Sequence, residues 1–162
     1  MRNDRKITSA VLIVSDRSAA GIREDLSGPA AMDALHTWTS VHEKIVVPDD
    51  YTEIRDQLSR WCREGVDLIL TSGGTGFSPR DVTPEATRSV IQKEAPGITQ
   101  ALLLQGLEDT PKAMLSRAVA GIRDRTLIIN LPGNPDAVVS GINYLKEALP
   151  HGVDVIRGEA QE

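Results

Sequence analysis

The residues best suited to chemistry fall in one stretch, Thr71-Ser72-Gly73-Gly74-Thr75-Gly76-Phe77-Ser78-Pro79-Arg80-Asp81-Val82-Thr83-Pro84, where an apolar run gives way to glycines, hydroxyls, an arginine and an aspartate. Glycines let backbone N–H groups approach an anion without a Cβ in the way, and Thr75 adds a hydroxyl donor. A phosphate or pyrophosphate suits such a turn. No lysine follows the glycines, and Gly74-Thr75-Gly76 lacks the third glycine of the dinucleotide fingerprint, so Walker-type hydrolysis and NAD binding are disfavoured. A purely structural turn is the competing reading of the glycines. Arg80 and Asp81 tilt the balance toward function.

Asp81 lies just ahead of a helix start, where an aspartate either caps the helix or holds a divalent cation. A second acidic pair, Asp49-Asp50, ends a predicted strand and is expected on the same edge of the sheet; Asp49 is the stronger candidate, Asp50 reading equally well as a solvated turn residue. Mg2+ takes oxygen ligands, keeps several waters and is usually held by one or two carboxylates plus substrate phosphates, so Asp49, Asp81 and a nucleoside triphosphate would complete a set. Ser15-Asp16-Arg17 ends the first strand and Ser27-Gly28-Pro29 opens the first helix, both at this rim, where a helix N-terminus can bind an anion. Asn130 to Pro135 closes the last long strand in a rigid turn able to wall a base pocket.

These residues need a scaffold, and the apolar periodicity supplies one. Apolar runs at Ile7–Ser15, Val41–Val47, Asp67–Ser72 and Thr126–Leu131 alternate with helical patterns after Pro29, over Tyr51–Arg63, from Thr83 to about Glu94 and over Ile98–Leu107. A last helix carries Val138, Ile142, Leu145 and Leu149 on one face. Val11–Val14 and Leu68–Leu70 are apolar throughout, as strands covered on both faces are. The expected architecture is α/β: three layers, helices on both faces of a mostly parallel sheet, in one domain over residues 1–162. Thr83 is the candidate N-cap of its helix, with Pro84 at the first helical position. The tail after Arg157 is expected to fray.

Composition narrows the partners. The net charge is −5, aromatics are 3 %, and there is no basic tract, which argues against nucleic acid. No apolar stretch approaches a bilayer span, and the run Ala10–Val14 after the charged segment Met1–Lys6 is too short for a signal-peptide core, so a cytoplasmic protein is expected. The lone Cys62 shares a helical face with Ile54, Leu58 and Trp61 and reads as core. His36, His42 and His151 are scattered without metal spacing, and no nucleophile elbow is present, so zinc and acyl chemistry are disfavoured. Direct phosphoryl chemistry remains.

The segment Gly73–Thr87, reading GGTGFSPRDVTPEAT, resembles the signature of the molybdopterin adenylyltransferases. The resemblance extends through Val14–Arg17, Asp25–Pro29, Val47–Asp49, Ala113–Arg117, Ala120–Arg123 and Leu127–Pro135. It implies the molybdopterin-binding fold of the MoaB and Mog proteins, a homotrimer, and transfer of AMP from Mg-ATP to the terminal phosphate of molybdopterin with release of pyrophosphate. By the same resemblance Asp49 and Asp81 are the essential acidic positions and the Mg2+ ligands. Gly73, Gly74, Thr75 and Gly76 bind the phosphate region, and Ser116 lies near the pterin phosphate with Arg117 beside it on the substrate. Pro132, Gly133, Asn134 and Pro135 shape the nucleotide pocket, and Ser15, Asp16 and Arg17 its neighbouring wall. The product would pass to a molybdate-insertion protein. Three alternatives stand beside this reading: an inactive pterin-binding member of the superfamily, an insertion module, which normally sits in a longer chain, and an interaction scaffold.

Overall fold

The structure, a computed structural model, describes residues 5–160 of the 162. Met1–Asp4 of the polar N-terminal segment and the last two residues of the tail lie outside the described residues. The sheet order is β2-β1-β3-β6-β5-β4. Strands β1 (Thr8–Val14), β2 (Ser40–Val47), β3 (Leu68–Ser72) and β6 (Thr126–Leu131) are mutually parallel, while β5 (Ala120–Arg123) runs antiparallel to β6 and β4 (Lys93–Glu94) antiparallel to β5. The mostly parallel α/β/α sandwich expected from the sequence is the fold found.

The pleat divides the apolar strand residues between two cores. Val11, Ile13, Leu68, Leu70, Leu127, Ile129 and Leu131 face α2 (Ser27–His36), α6 (Pro135–Leu145) and α7 (Leu149–Arg157). Ala10, Leu12, Val14, Ile69 and Ile128 face α3 (Tyr51–Arg63) and α4 (Thr83–Val90). Alternate residues thus meet opposite layers, and for this reason runs such as Val11–Val14 and Leu68–Leu70 are apolar at every position. In α3 the buried residues Ile54, Leu58 and Trp61 recur at helical spacing, and Asp50 caps the helix by accepting the Glu53 N–H at 2.9 Å.

Four expectations need correction. α4 stops at Val90 rather than near Glu94: Ile91 turns extended and Gln92 donates to the Ile122 carbonyl at 2.8 Å, so pairing with β5 displaces the helix. Thr83 does not cap α4; its hydroxyl donates instead to the Gly73 carbonyl at 3.0 Å. The last helix is two, because Pro150 lacks an N–H and its ring would crowd the Lys146 carbonyl, yet Val138, Ile142, Leu145 and Leu149 still share one core. Beyond Arg157 the tail is tied rather than frayed through Glu159: Gly158 takes φ 73° and the Glu159 N–H bonds the Asp154 carbonyl at 2.9 Å. Arg157 itself lies buried against Asp67, which also accepts the Thr8 N–H and hydroxyl, each at 2.9 Å. The sequence reading also lacked α1 (Asp16–Ala19) and β5; α5 (Pro96–Asp109) starts two residues before Ile98.

Candidate active site

Register places the site. Val14 pairs with Val47, Ile13 with Ser72, and Ser72 with Leu131, so four parallel strands deliver their following loops to one edge. β1 leads outward to β2, and the chain then crosses back to β3 on the other side of β1. Such a reversal in strand order opens a crevice at the carboxyl ends, where ligands bind in open α/β sheets.

The glycine-rich loop forms the floor. Gly73 has φ 100°, and a Cβ there would lie 2.3 Å from the Val14 carbonyl oxygen; Gly74 has φ 69°, with a Cβ position 2.3 Å from Thr83 Oγ1 and 3.1 Å from Asp49 Oδ1. Only glycine fits at both. The Gly73 N–H is bonded to the Leu131 carbonyl, whereas the N–H groups of Gly74, Thr75 and Gly76 have no partner among the described residues. Unpaired, adjacent N–H groups in a turn form an anion cradle.

Carboxylates border this floor. Asp16 and Asp49 exchange bonds: the Asp16 N–H donates to Asp49 Oδ2 at 3.0 Å and the Asp49 N–H to Asp16 Oδ1 at 2.9 Å. Arg80 reaches over the loop to Asp16 with both Nε and Nη2, at 3.0 and 2.9 Å. The Arg80 bond and then the Asp49 N–H hold the Asp16 carboxyl below its ordinary range. Asp49 is displaced the other way: burial raises its pKa, and the charges of Asp16 and Asp81 add to the rise. Although the two are bonded to each other, the guanidinium sits on Asp16 and leaves Asp49 as the less compensated charge. Asp81 accepts the Ser78 N–H at 3.1 Å, and α4 has no side-chain cap, so the capping role open to Asp81 is not the one it takes.

Beside the floor is a cleft of about 150 Å³ lined by Ser15, Arg23, Asp25, Ser27, Ser72 and Gly133, among others. Its walls are stitched together: Ser27 donates to the Gly133 carbonyl and Ser72 to the Pro132 carbonyl, both at 2.9 Å. Pro135 lines it as well. Asn134 spends its side chain on the N-cap of α6, accepting from the Asp136 and Ala137 N–H groups. Ser15 lines the cleft while the next residue, Asp16, faces the carboxylates, so the two sites adjoin through one peptide bond.

Other expected site residues lie elsewhere. Arg17 is an exposed residue of α1 and Ser116 is exposed beyond the 3-10 turn Pro111–Leu115; neither lines the cleft. Arg117 is occupied by the protein, donating from Nε to the Gly76 carbonyl at 2.8 Å and from Nη2 to the Asp81 carbonyl at 3.0 Å. Sequence reasoning gave Asp25 no role of its own and passed over Arg23. Asp25 accepts the Gly28 N–H at 2.8 Å and Lys44 at 3.2 Å; the signal was an Asp three residues ahead of a helical glycine. His42, Glu43 and Glu64 meet on the surface with ligand atoms within 4.8 Å, but Glu43 already accepts Trp61 and Arg60, and Glu64 accepts Arg60.

The family described as "Probable molybdopterin binding domain" matches residues 10–151. The chain belongs to this family. A relative named molybdopterin adenylyltransferase from Helicobacter pylori (strain J99) is 42 % identical over 153 residues, covering 91 % of this chain and 86 % of the relative. The gephyrin of Dictyostelium discoideum is 39 % identical over 92 % of this chain, which spans only 22 % of that protein's length. Among solved structures, the molybdopterin biosynthesis enzyme MoaB from Thermus thermophilus superposes with a TM-score of 0.89 at 42 % identity, covering 96 % of this chain and 99 % of that one. The glycine floor, the cleft and the carboxylates all lie within the matched span.

Proposed function

We propose that this chain is a molybdopterin adenylyltransferase of molybdenum cofactor biosynthesis, acting as a single domain that transfers AMP from ATP to the terminal phosphate of molybdopterin. The observation that carries this reading is the adjacency of two different sites: a glycine floor bordered by Asp16, Asp49 and Asp81, and a separate polar cleft reached through Ser15. A reaction between a nucleoside triphosphate and a phosphorylated pterin needs such a pair. Relatives that carry the adenylyltransferase name at 38–42 % identity support the same class of chemistry.

The residues fit a divalent cation. Asp49 Oδ1 has no hydrogen-bond partner among the described residues, it faces a position where a Cβ on Gly74 would intrude, and burial, with neighbouring negative charge after it, raises its pKa. Asp49 and Asp81 would hold Mg2+, which supplies charge neutralisation of the triphosphate. The transfer forms a bond between the pterin phosphate oxygen and the α-phosphorus of ATP as the bond to the β-phosphate oxygen breaks, and pyrophosphate leaves. No protein nucleophile takes part. The N–H groups of Gly74, Thr75 and Gly76 bind phosphate oxygens, and Arg80, paired with Asp16, adds positive charge to the rim of the loop. Fixed placement of the two reactants can supply up to about 7–11 kcal/mol of the barrier reduction.

The working unit is a homotrimer in this reading. α5 has no buried residue although it carries Leu103, Leu104 and Leu107, and Leu104 is 67 % exposed with Met114 of the neighbouring 3-10 turn at 62 %. Ile98 and Leu102 pack on the core, and the apolar face left uncovered on the other side of the helix marks a protein contact, here a second copy. No helix among the described residues is long and apolar enough to cross a membrane. The proposed location is the cytoplasm, where adenylylated product passes to a molybdate-insertion protein.

Incubation of the purified protein with molybdopterin, ATP and Mg2+, scored by mass for adenylylated pterin and pyrophosphate, tests the reading. Product that requires all three components is expected; pterin binding without AMP transfer would make the chain a binding protein instead.

A further inference from the structure

Arg117 approaches the glycine-rich loop from the side opposite in sequence, 41 positions beyond Gly76 and 36 beyond Asp81. Its own N–H donates to the Thr75 carbonyl at 2.8 Å. Its guanidinium donates to the Gly76 carbonyl, to the Asp81 carbonyl, and to the Glu85 carboxylate in the first turn of α4. The three carbonyls bracket the segment that carries Arg80 and Asp81.

A trans peptide plane carries its C=O and N–H on opposite sides. The backbone N–H of Arg117 draws the Thr75 oxygen, so the Gly76 N–H points away whatever side chain stands at 117, whereas the guanidinium draws the Gly76 oxygen and thereby turns the Phe77 N–H away from it. The same constraint at Asp81 fixes the plane that joins it to Val82. Only a planar fork with several donors spans two carbonyls and a carboxylate at once; a lysine ammonium is a point donor on a flexible stem. Nε, Nη1 and Nη2 are all engaged within the protein.

We infer that Arg117 is a positioning residue, whose guanidinium aims the Phe77 N–H of the loop and the backbone of Asp81 without touching substrate. The kinetic part of this inference rests on the adenylyltransferase reading; the ordering of the loop does not. The Arg117 side chain is 32 % exposed and that of Glu85 45 %, so removing the guanidinium strands no buried charge and the fold should survive.

Amide hydrogen exchange and steady-state kinetics on the full chain and on Arg117→Ala and Arg117→Lys test it. The Ser78 and Asp81 amides, bonded within the loop at 3.1 and 2.9 Å, should exchange about tenfold faster or more in both variants while β1 and β3 keep their protection. The value of kcat should fall about 10²-fold in Arg117→Ala with KM for ATP and molybdopterin changed by less than about threefold, and millimolar guanidinium should restore part of it. Unchanged exchange in the loop would overturn the inference, as would a raised KM at unchanged kcat, which marks a direct substrate ligand. If the parent protein transfers no AMP, the adenylyltransferase reading fails and the exchange result alone decides the role of Arg117. If Arg117→Ala does not fold, Arg117→Lys is read by the same two criteria.

Discussion

Asp16 and Asp49 are locked to each other by a reciprocal pair of bonds, each carboxylate accepting the other's backbone N–H at 2.9–3.0 Å. Asp16 opens α1 just beyond β1 and Asp49 lies in the turn after β2, so this exchange joins two adjacent strand ends into one rigid rim. It also leaves Oδ1 of Asp49 for other work.

Replacing Asp49 or Asp81 by Asn keeps the shape and an acceptor oxygen but removes the charge. The Asn at 49 can still accept the Asp16 N–H, so folding should be retained. Mg2+-dependent turnover is expected to fall on the order of 10²-fold or more in either variant, with molybdopterin binding kept. Turnover equal to the parent in Asp81→Asn would remove Asp81 from the mechanism.

Asp49 has a raised pKa, chiefly from burial and then from Asp16 and Asp81, against an ordinary value of 3.8. A carboxyl with a raised folded-state pKa is neutral over a pH range where an exposed aspartate is already ionised, and the neutral form binds a cation poorly. The Mg2+ concentration needed for half-maximal turnover should therefore rise as pH falls, starting above that ordinary value. Carboxyl carbon NMR of the metal-free protein should place the Asp49 midpoint above 3.8 and added Mg2+ should lower it. A midpoint that ignores Mg2+ would argue that the cation binds elsewhere.

The Asp67–Arg157 pair lies at 5 % and 3 % side-chain exposure. Burial alone pushes the Asp67 carboxyl up, but the bonds from Arg157 and Thr8 together outweigh it and hold the pKa below 3.8. For a depressed carboxyl the stabilisation is full above the unfolded value and is lost as pH falls through the lower folded value. Acid unfolding should therefore show a component below the ordinary aspartate range that Asp67→Asn removes. Arg157→Ala strands a buried charge and should cost about 3 kcal/mol or more, a fall in Tm of roughly 10 °C by thermal scan at neutral pH. A smaller loss in a double variant with apolar residues at both positions would identify the stranded charge as the cause.

Leu104→Glu places a charge on the uncovered face of α5. Sedimentation should show the parent as a trimer and the variant as smaller species, with the secondary structure of the monomer kept. Identical sedimentation of the two would move the interface off this face.

The sheet was legible because its strands are buried on both faces: runs such as Val11–Val14 and Leu68–Leu70 admit few other readings. What the sequence concealed was set by partners far along the chain. Lys93–Glu94 leaves the helix because β5 offers hydrogen bonds, and Pro150 divides a helical face whose apolar spacing carries on without a break. In the candidate site, Asp49 and the glycines were readable from residue type and their place at strand ends, and Asp81 from its place between the glycine turn and a helix start. The resemblance assigned Arg117 to substrate; its guanidinium donates to the Gly76 and Asp81 carbonyls, contacts that no local pattern encodes. Asp50 was even between a turn and a site residue, and its cap on α3 decides for the turn.

The Asp67–Arg157 pair sits at the amino end of β3, where Asp67 is bound to Thr8 at the start of β1, while the glycine floor leaves the carboxyl end of the same strand. Five residues of strand, roughly 16 Å, keep them apart. The anchor of the fold and the candidate site are therefore at opposite poles of the sheet. Substitutions at the anchor pole should raise or lower thermal tolerance while the proposed transfer rate stays nearly constant, which would give a lineage moving to a hotter or colder habitat a region of this protein to alter without retuning the reaction.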